Sequence, residues 1–203
     1  RQGKAWSKPL KLSIKIEPTA LQQRPSCSQT TLVPDKRKKR KPFCAYNGSR
    51  IQNVETNYCC IINADGSMDP KYLGEMLDEC KNKDLVFGSR YQKPGGGSDD
   101  DDIITSLGNH IFTLMGNILY NLKITDILYT YILAKTSSIK KLQLKNGDFR
   151  ICVELPIKAK FHEMEYICLP SYERERIGGK KKVNALKDGM LILIEIIKYF
   201  FKK

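Results

Sequence analysis

A layered α/β domain is what this sequence predicts from Tyr58 onward, and three observations predict it. Short apolar runs, YCCII at 58–62 and LVFGSRY at 85–91, read as buried strands. They alternate with segments whose apolar residues recur at helical spacing, and the alternation continues over the rest of the chain. The two most unusual loops, NADGSMD at 63–69 and GSRYQKPGGGSDDDD at 88–102, each sit at the end of a predicted strand. In α/β sheets that is where ligands bind.

The elements follow in order. Asp69-Pro70 has the chemistry of a helix start, with Asp as N-cap and Pro at the first helical position. The helix behind it, 70–81, carries Tyr72, Leu73, Met76 and Leu77 at helical spacing. A second helix is predicted from Ile103 to Leu122, with Leu107, Ile111, Leu114, Met115, Ile118 and Leu119 on its apolar side. The stretch 124–135 is mixed and yields no assignment. Residues 149–162 predict a helix that Pro156 either kinks or shortens. YICLPSYERERI at 166–177 reads as a strand running into a polar stretch, GGKKK at 178–182 as a basic loop, and the apolar end of the chain as a helix with a basic terminus. Residues 1–57 show no sustained period. They are rich in Lys, Arg, Pro, Ser, Thr and Gln and contain the block DKRKKRKP at 35–42. The expected organisation is therefore a basic, poorly ordered segment at 1–57 and an α/β domain at 58–203.

Charge is distributed accordingly. The net charge is +13, but residues 1–58 hold 13 Lys and Arg against 3 Asp and Glu, whereas the remainder holds 22 against 19. The basicity belongs to the front segment. Its Lys/Arg block lacks interleaved aromatics, and no nucleic-acid fold motif is visible, which argues against nucleic acid as the partner. Seven cysteines without a CxxC pair, and two histidines, argue against a disulfide framework and a Cys/His zinc site. Reduced thiols in a cytoplasmic chain are expected. No run reaches the ~18 apolar residues of a membrane span, and the front segment lacks the apolar core of a signal peptide.

The loops carry the candidate chemistry. Asn63, Asp65 and Ser67 alternate as oxygen donors, with Asp65 the sole anion. Such a set suits a hard cation that bridges to a diphosphate, although an Asp-Gly turn explains the same spacing. A calcium loop is excluded, because the bidentate Glu of its twelfth position is replaced by Gly74 or Met76, depending on where the count starts. Asp99, Asp100, Asp101 and Asp102 form a cluster that is either solvated or metal-bound, and Gly95-Gly96-Gly97 suits a loop that folds over a ligand. Arg90 follows Gly88-Ser89 at a strand end, where its planar fork can meet a phosphate. Arg174, Arg176, Lys180, Lys181 and Lys182 make a second basic constellation, a phosphate clamp or a solvated loop.

The order ADGSMDP, DLVFGSRY, GGGSDDDD, LGNHIFTLMGNILYNLKITDILY, VELPIKA, LPSYERERIGGKKKVNALKDG resembles the family 2 glycosyltransferases, in particular their dolichol-phosphate mannosyltransferase-like branch. The resemblance covers about residues 58–200. It implies an incomplete nucleotide-diphospho-sugar transferase (GT-A) sheet with flanking helices. It also implies transfer of a sugar from a nucleoside-diphosphate donor, often to a polyprenyl phosphate at a membrane face, with Mg²⁺ or Mn²⁺. Carried over by position, Asn63, Asp65 and Ser67 fall on the metal motif, with Asn63 where the first Asp usually stands. Arg90 falls on the Gly-Ser-Arg arginine near the phosphates, Asp126 on the Thr-Asp after the long helix, and Glu154 on a glutamate of the acceptor-side helix. Catalytic roles are thereby implied for Asp65, Arg90, Asp126 and Glu154, and substrate contacts for Arg90, Arg176, Lys181 and Lys182. The family's amino-terminal nucleotide-binding motifs have no counterpart in residues 1–57. The apolar helix at 184–201 either packs on the sheet or rests in a bilayer interface beside a lipid substrate, which would make the chain peripheral on a membrane. Two other readings stay open: a basic nucleic-acid- or membrane-binding module, and a catalytically inactive fragment of the transferase fold.

Overall fold

The computed structural model describes residues 51–63, 65–177 and 185–202. The first strand, β1 (Tyr58–Ile61), is the predicted YCCII run. Asp69 then caps a single 3-10 turn, Pro70–Tyr72, its Oδ1 accepting the Lys71 N–H at 3.0 Å. That turn opens α1 (Leu73–Cys80), so the predicted start holds. Next come β2 (Leu85–Ser89), the two-residue β3 (Gly97–Ser98) and α2 (Ile103–Tyr120). Asp102 caps α2 by accepting the Thr105 N–H at 2.8 Å. The stretch 124–135 without a sequence assignment holds β4 (Ile132–Lys135), and the short α3 (Thr136–Lys141) follows it. α4 (Ile151–Phe161) runs through Pro156 without ending there. β5 (Tyr166–Pro170), β6 (Tyr172–Glu173) and α5 (Ala185–Phe200) complete the described elements.

The main sheet has the order β1-β4-β2-β5. β2 and β5 pair in parallel, and β4 runs antiparallel between β1 and β2. Side chains alternate across the pleat, and each face finds its own helices. Cys59, Ile61, Leu85, Phe87, Ile132 and Ala134 face one cluster, which α2, α4 and α5 close with residues such as Tyr120, Leu155 and Ile196. Cys60, Val86 and Leu133 face the other, closed by Leu73, Met76, Leu77 and Cys80 of α1. The α/β expectation holds, as a mixed sheet between helical layers. β3 and β6 form a separate parallel pair at the edge where β2 and β5 end. The five described cysteines are free thiols. No described helix is long and apolar enough to cross a membrane.

One helix leaves most of its predicted apolar side in solvent. The side of α2 that meets the core carries Asn109, Thr113, Gly116 and Tyr120, flanked by the partly buried Phe112, Met115 and Leu119, while Leu107, Ile111, Leu114 and Ile118 are exposed. The polar groups inside are satisfied. Thr113 Oγ1 accepts the Ile127 N–H at 3.1 Å, and Asn109 Oδ1 accepts the Leu128 N–H at 3.2 Å. Stability should therefore invert the usual rule along this helix. Thr113→Val leaves the buried Ile127 N–H without its partner and is expected to cost about 1–3 kcal/mol, a loss of several degrees in Tm. Its neighbour Leu114→Gln is expected to change stability by less than about 0.5 kcal/mol. Thermal unfolding followed by circular dichroism compares the two.

Candidate functional site

Three loops converge where β1, β2 and β5 end. The first leaves β1. Gly66 takes φ +86, and Asp65 Oδ1 accepts both the N–H and the hydroxyl of Ser67, at 3.1 and 2.8 Å. Ser67 is fully buried under this turn. Asn63 points elsewhere. Its side-chain oxygen accepts the Thr130 hydroxyl at 3.3 Å, and its N–H meets the Met68 sulfur. The third loop lies alongside the first: Ser67 C=O accepts the Arg174 N–H and Asp65 C=O accepts the Ile177 N–H, both at 2.9 Å. The second loop follows β2 and is pinned by Gly96, whose α-carbon nestles against carbonyl oxygens of Ser89, Arg90 and Gln92. A Cβ there would lie 2.9 Å or less from each, so no other residue fits without moving backbone.

These loops assemble two tiers of charge. In the inner tier, Arg90 is buried and binds Asp126 through a fork, Nε to Oδ2 at 2.8 Å and Nη2 to Oδ1 at 3.0 Å. Its backbone N–H reaches the same carboxylate at 3.1 Å. Arg90 Nη1 donates to Glu173 at 3.0 Å and lies 3.4 Å from Asp101. Asn109 Nδ2 donates to Asp126 from α2, and Ser98 Oγ donates to Glu173 at 2.9 Å. The rings of Tyr129 and Tyr91 lie under the guanidinium. Burial works against a charged guanidinium here, but Asp126 and Glu173 outweigh it and hold the Arg90 pKa well above its ordinary value. Burial pushes the Glu173 carboxyl above the ordinary glutamate value, against the pull of Arg90 and Ser98.

The outer tier is closer to solvent. Arg176 pairs with Asp100, Nε to Oδ1 at 3.0 Å, and its Nη1 lies 3.9 Å from Asp65 Oδ2. The side chains of Arg176 and Asp65 are 23% and 22% exposed. Arg174 pairs with the capping residue Asp69. Asp99 accepts from the Tyr172 hydroxyl. The four aspartates of 99–102 thus each have a separate task in the fold: Asp99 and Asp102 are exposed, as a solvated loop predicts, whereas Asp100 and Asp101 are drawn in by Arg176 and Arg90.

The structure brings together Asp65, Ser67 and Arg176 in one tier and Arg90 and Asp126 in the tier beneath. Glu154 stands apart. Fully buried on α4, it accepts the backbone N–H groups of Lys145 and Asn146, both at 2.8 Å, and pairs with Lys158 at 2.7 Å. Burial alone would lift its carboxyl, but Lys158 and those two N–H groups hold it below the ordinary glutamate value. It has the surroundings of a loop anchor. Lys181 and Lys182 lie outside the described residues, as do positions 1–50 of the predicted basic segment. Sequence reasoning missed Glu173 and Asn109. The alternating charges of YERER were a signal for the first, and one Asn among several polar residues of α2 gave none.

Among the described residues, no three His, Cys, Asp or Glu side chains are grouped to form a metal cage on their own. Asp65 does offer one oxygen, Oδ2, that Ser67 does not occupy. The predicted trio of donors does not assemble, because Asn63 is turned to Thr130 and Ser67 is buried against Asp65, so this single oxygen would need a diphosphate and water to complete the shell of Mg²⁺ or Mn²⁺. No protein-family model matches this chain.

The inner tier and the Glu154 anchor lead to separate tests. Arg90→Lys keeps the charge but loses the fork, with three carboxylates nearby. It is expected to lower stability by about 3 kcal/mol, measured by urea unfolding at neutral pH. Glu154→Gln should cost about 3 kcal/mol at neutral pH. Because the folded-state pKa of Glu154 is depressed, its contribution is present above the ordinary glutamate value and is lost as pH falls through the folded value. The gap between wild type and Glu154→Gln should therefore narrow on acidification, which a pH series of melting curves would show.

Proposed function

We propose that this chain is a glycosyltransferase of the nucleotide-diphospho-sugar transferase (GT-A) type, moving a sugar from a nucleoside-diphosphate donor to a polyprenyl phosphate. One observation carries the reading. The loops that supply Asp65, Arg90 and Arg176, far apart in sequence, meet at one edge of an α/β sheet, with carboxylate and guanidinium groups side by side. That is the charge pattern a diphosphate and a hard cation together would satisfy. The motif order described above supports the same reading.

Asp65, through its Oδ2, would hold Mg²⁺ or Mn²⁺, which when bound neutralises charge on a departing diphosphate, while Ser67 orients the carboxylate through Oδ1. Arg176 is the guanidinium best placed to meet phosphate, by giving up part of its hold on Asp100. Lys181 and Lys182 follow it closely in sequence and extend the same positive charge. Arg90 acts through position, because its donors are engaged with Asp126 and Glu173 and it fixes the loops on which the outer tier stands. Asp126, occupied by Arg90 and Asn109, is likewise a positioning group. A phosphate acceptor is anionic at neutral pH and makes no demand for a general base, so orientation and charge complementarity suffice for the transfer.

The test is thermal unfolding with UDP-glucose, GDP-mannose and their free nucleotides, each with and without Mn²⁺. Binding at a hundredfold excess over Kd stabilises by about 2.7 kcal/mol. The expected result is a Mn²⁺-dependent rise in Tm with one nucleotide family, abolished by Asp65→Ala. If no nucleotide shifts Tm with Mn²⁺ present, the transferase reading fails and the fold serves some other purpose.

A further inference from the structure

The outward residues of α2 follow a strict order. Ile104, Leu107, Ile111, Leu114 and Ile118 succeed one another at spacings of 3, 4, 3 and 4 residues, and each is between 49% and 74% exposed. That is the a and d pattern of a coiled coil, with Ile at every a position and Leu at every d. The residues that meet the core, Asn109, Thr113, Gly116 and Tyr120, fall on the c and f positions opposite. A helix that only covers its own protein turns its apolar stripe inward. Here the inward side is committed to Asp126 and the backbone beside it, so the seam stands open along a helix about 27 Å long.

The pattern selects its occupant. A seam of a and d residues is narrow and shaped to receive the side chains of another helix. α2 has no Lys or Arg to meet lipid headgroups, and its outward stripe holds no aromatic residue. Ile at a with Leu at d is the combination that favours two strands. The partner must also accept flanks without charge, since α2 contains no Asp, Glu, Lys or Arg. Another α2 meets each of these conditions. In a two-fold pair the same patch meets itself, and nothing on this seam repels its image. Gly108 flanks the seam with open space where a Cβ would stand, which lets a second backbone come close. The area also suffices. The five side chains present on the order of 500 Å² per copy, and the exposed Met190, Ile194 and Ile197 of the adjoining α5 bring the face to the roughly 800 Å² per partner of a standard interface. On that helix Lys198 is paired with Glu195 at 3.1 Å.

We propose that this chain forms a homodimer in which the a/d seam of α2 packs against α2 of a second copy, with α5 at the rim. A free coil of little more than two heptads is marginal, but α2 is already folded on its own core, so association costs no helix nucleation. The pairing requires no donor and no metal, so it stands independently of the sugar-transfer reading. Asp65→Ala should dimerise as the wild type does. Because the seam carries no ion pair, high salt should not dissolve the dimer.

The experiment is sedimentation velocity of the full chain across a concentration series, at low and high salt. A monomer–dimer equilibrium is expected at both. Leu107→Gln combined with Leu114→Gln should weaken it at least about tenfold. Both positions are exposed, so a melting curve in dilute solution, where the copies are apart, should match that of the wild type and verifies the fold of the variant. Ile111 stands midway along the seam and meets its own image whichever way the two helices run. Ile111→Cys should therefore give a disulfide-linked dimer on mild oxidation, beyond what the wild type's own cysteines yield. Three results would overturn the proposal. The wild type could stay monomeric at every concentration. A dimer could form that the double substitution does not weaken and Ile111→Cys does not link, which assigns association to another surface. Or the wild type could stay monomeric and co-sediment with phosphatidylcholine vesicles while the double variant does not, which assigns the seam to lipid.

Discussion

Arg90 is the pivot of this structure. One buried guanidinium holds Asp126, Glu173 and Asp101, drawn from the segment after α2, from β6 and from the loop before α2. Removing charges from water is costly, and only close geometry with additional hydrogen bonds offsets the cost. Asn109, Ser98 and the Arg90 backbone N–H supply those bonds. The cluster therefore fixes four segments of chain at one end of the sheet. Asp65 and Arg176 meet because the segment carrying Glu173 runs on, hydrogen bond by hydrogen bond, along the loop that carries Asp65.

The same requirement explains the orientation of α2. Asp126 and the backbone around it need donors and acceptors from the helix above, and Asn109 and Thr113 provide them. Helical geometry places these residues on one side, with Gly116 and Tyr120 below, so Leu107, Ile111, Leu114 and Ile118 must face out. The polar interior and the apolar exterior are two consequences of one constraint.

A division of labour follows. The buried tier carries little free capacity for a ligand, since its oxygens and nitrogens are engaged with one another. The outer tier is half open and built from groups that can exchange partners. Glu154 serves a third purpose, anchoring residues 145–146 beneath α5 together with Asn146 and Glu195. Carboxylates that look equivalent in a sequence are separated by what surrounds them.

Local chemistry determined much by itself. YCCII, LVFGSRY and the Asp69-Pro70 start became a strand, a strand and a helix opening, because periodicity and capping act over a few residues. The loops at strand ends were also visible as candidate sites, and Asp65 and Arg176 met as neighbours. β4 was not legible. Buried on both faces at the centre of the sheet, Ile132–Lys135 shows no alternation to reveal it. Nor could the sequence pair Arg90 with Asp126, 36 residues away, or with Glu173, 83 away. It could not turn α2 outward, because periodicity identifies an apolar side without saying what that side faces. Those outcomes belong to the tertiary structure: the partner of a buried charge is chosen by which segments the packed sheet brings within hydrogen-bond reach.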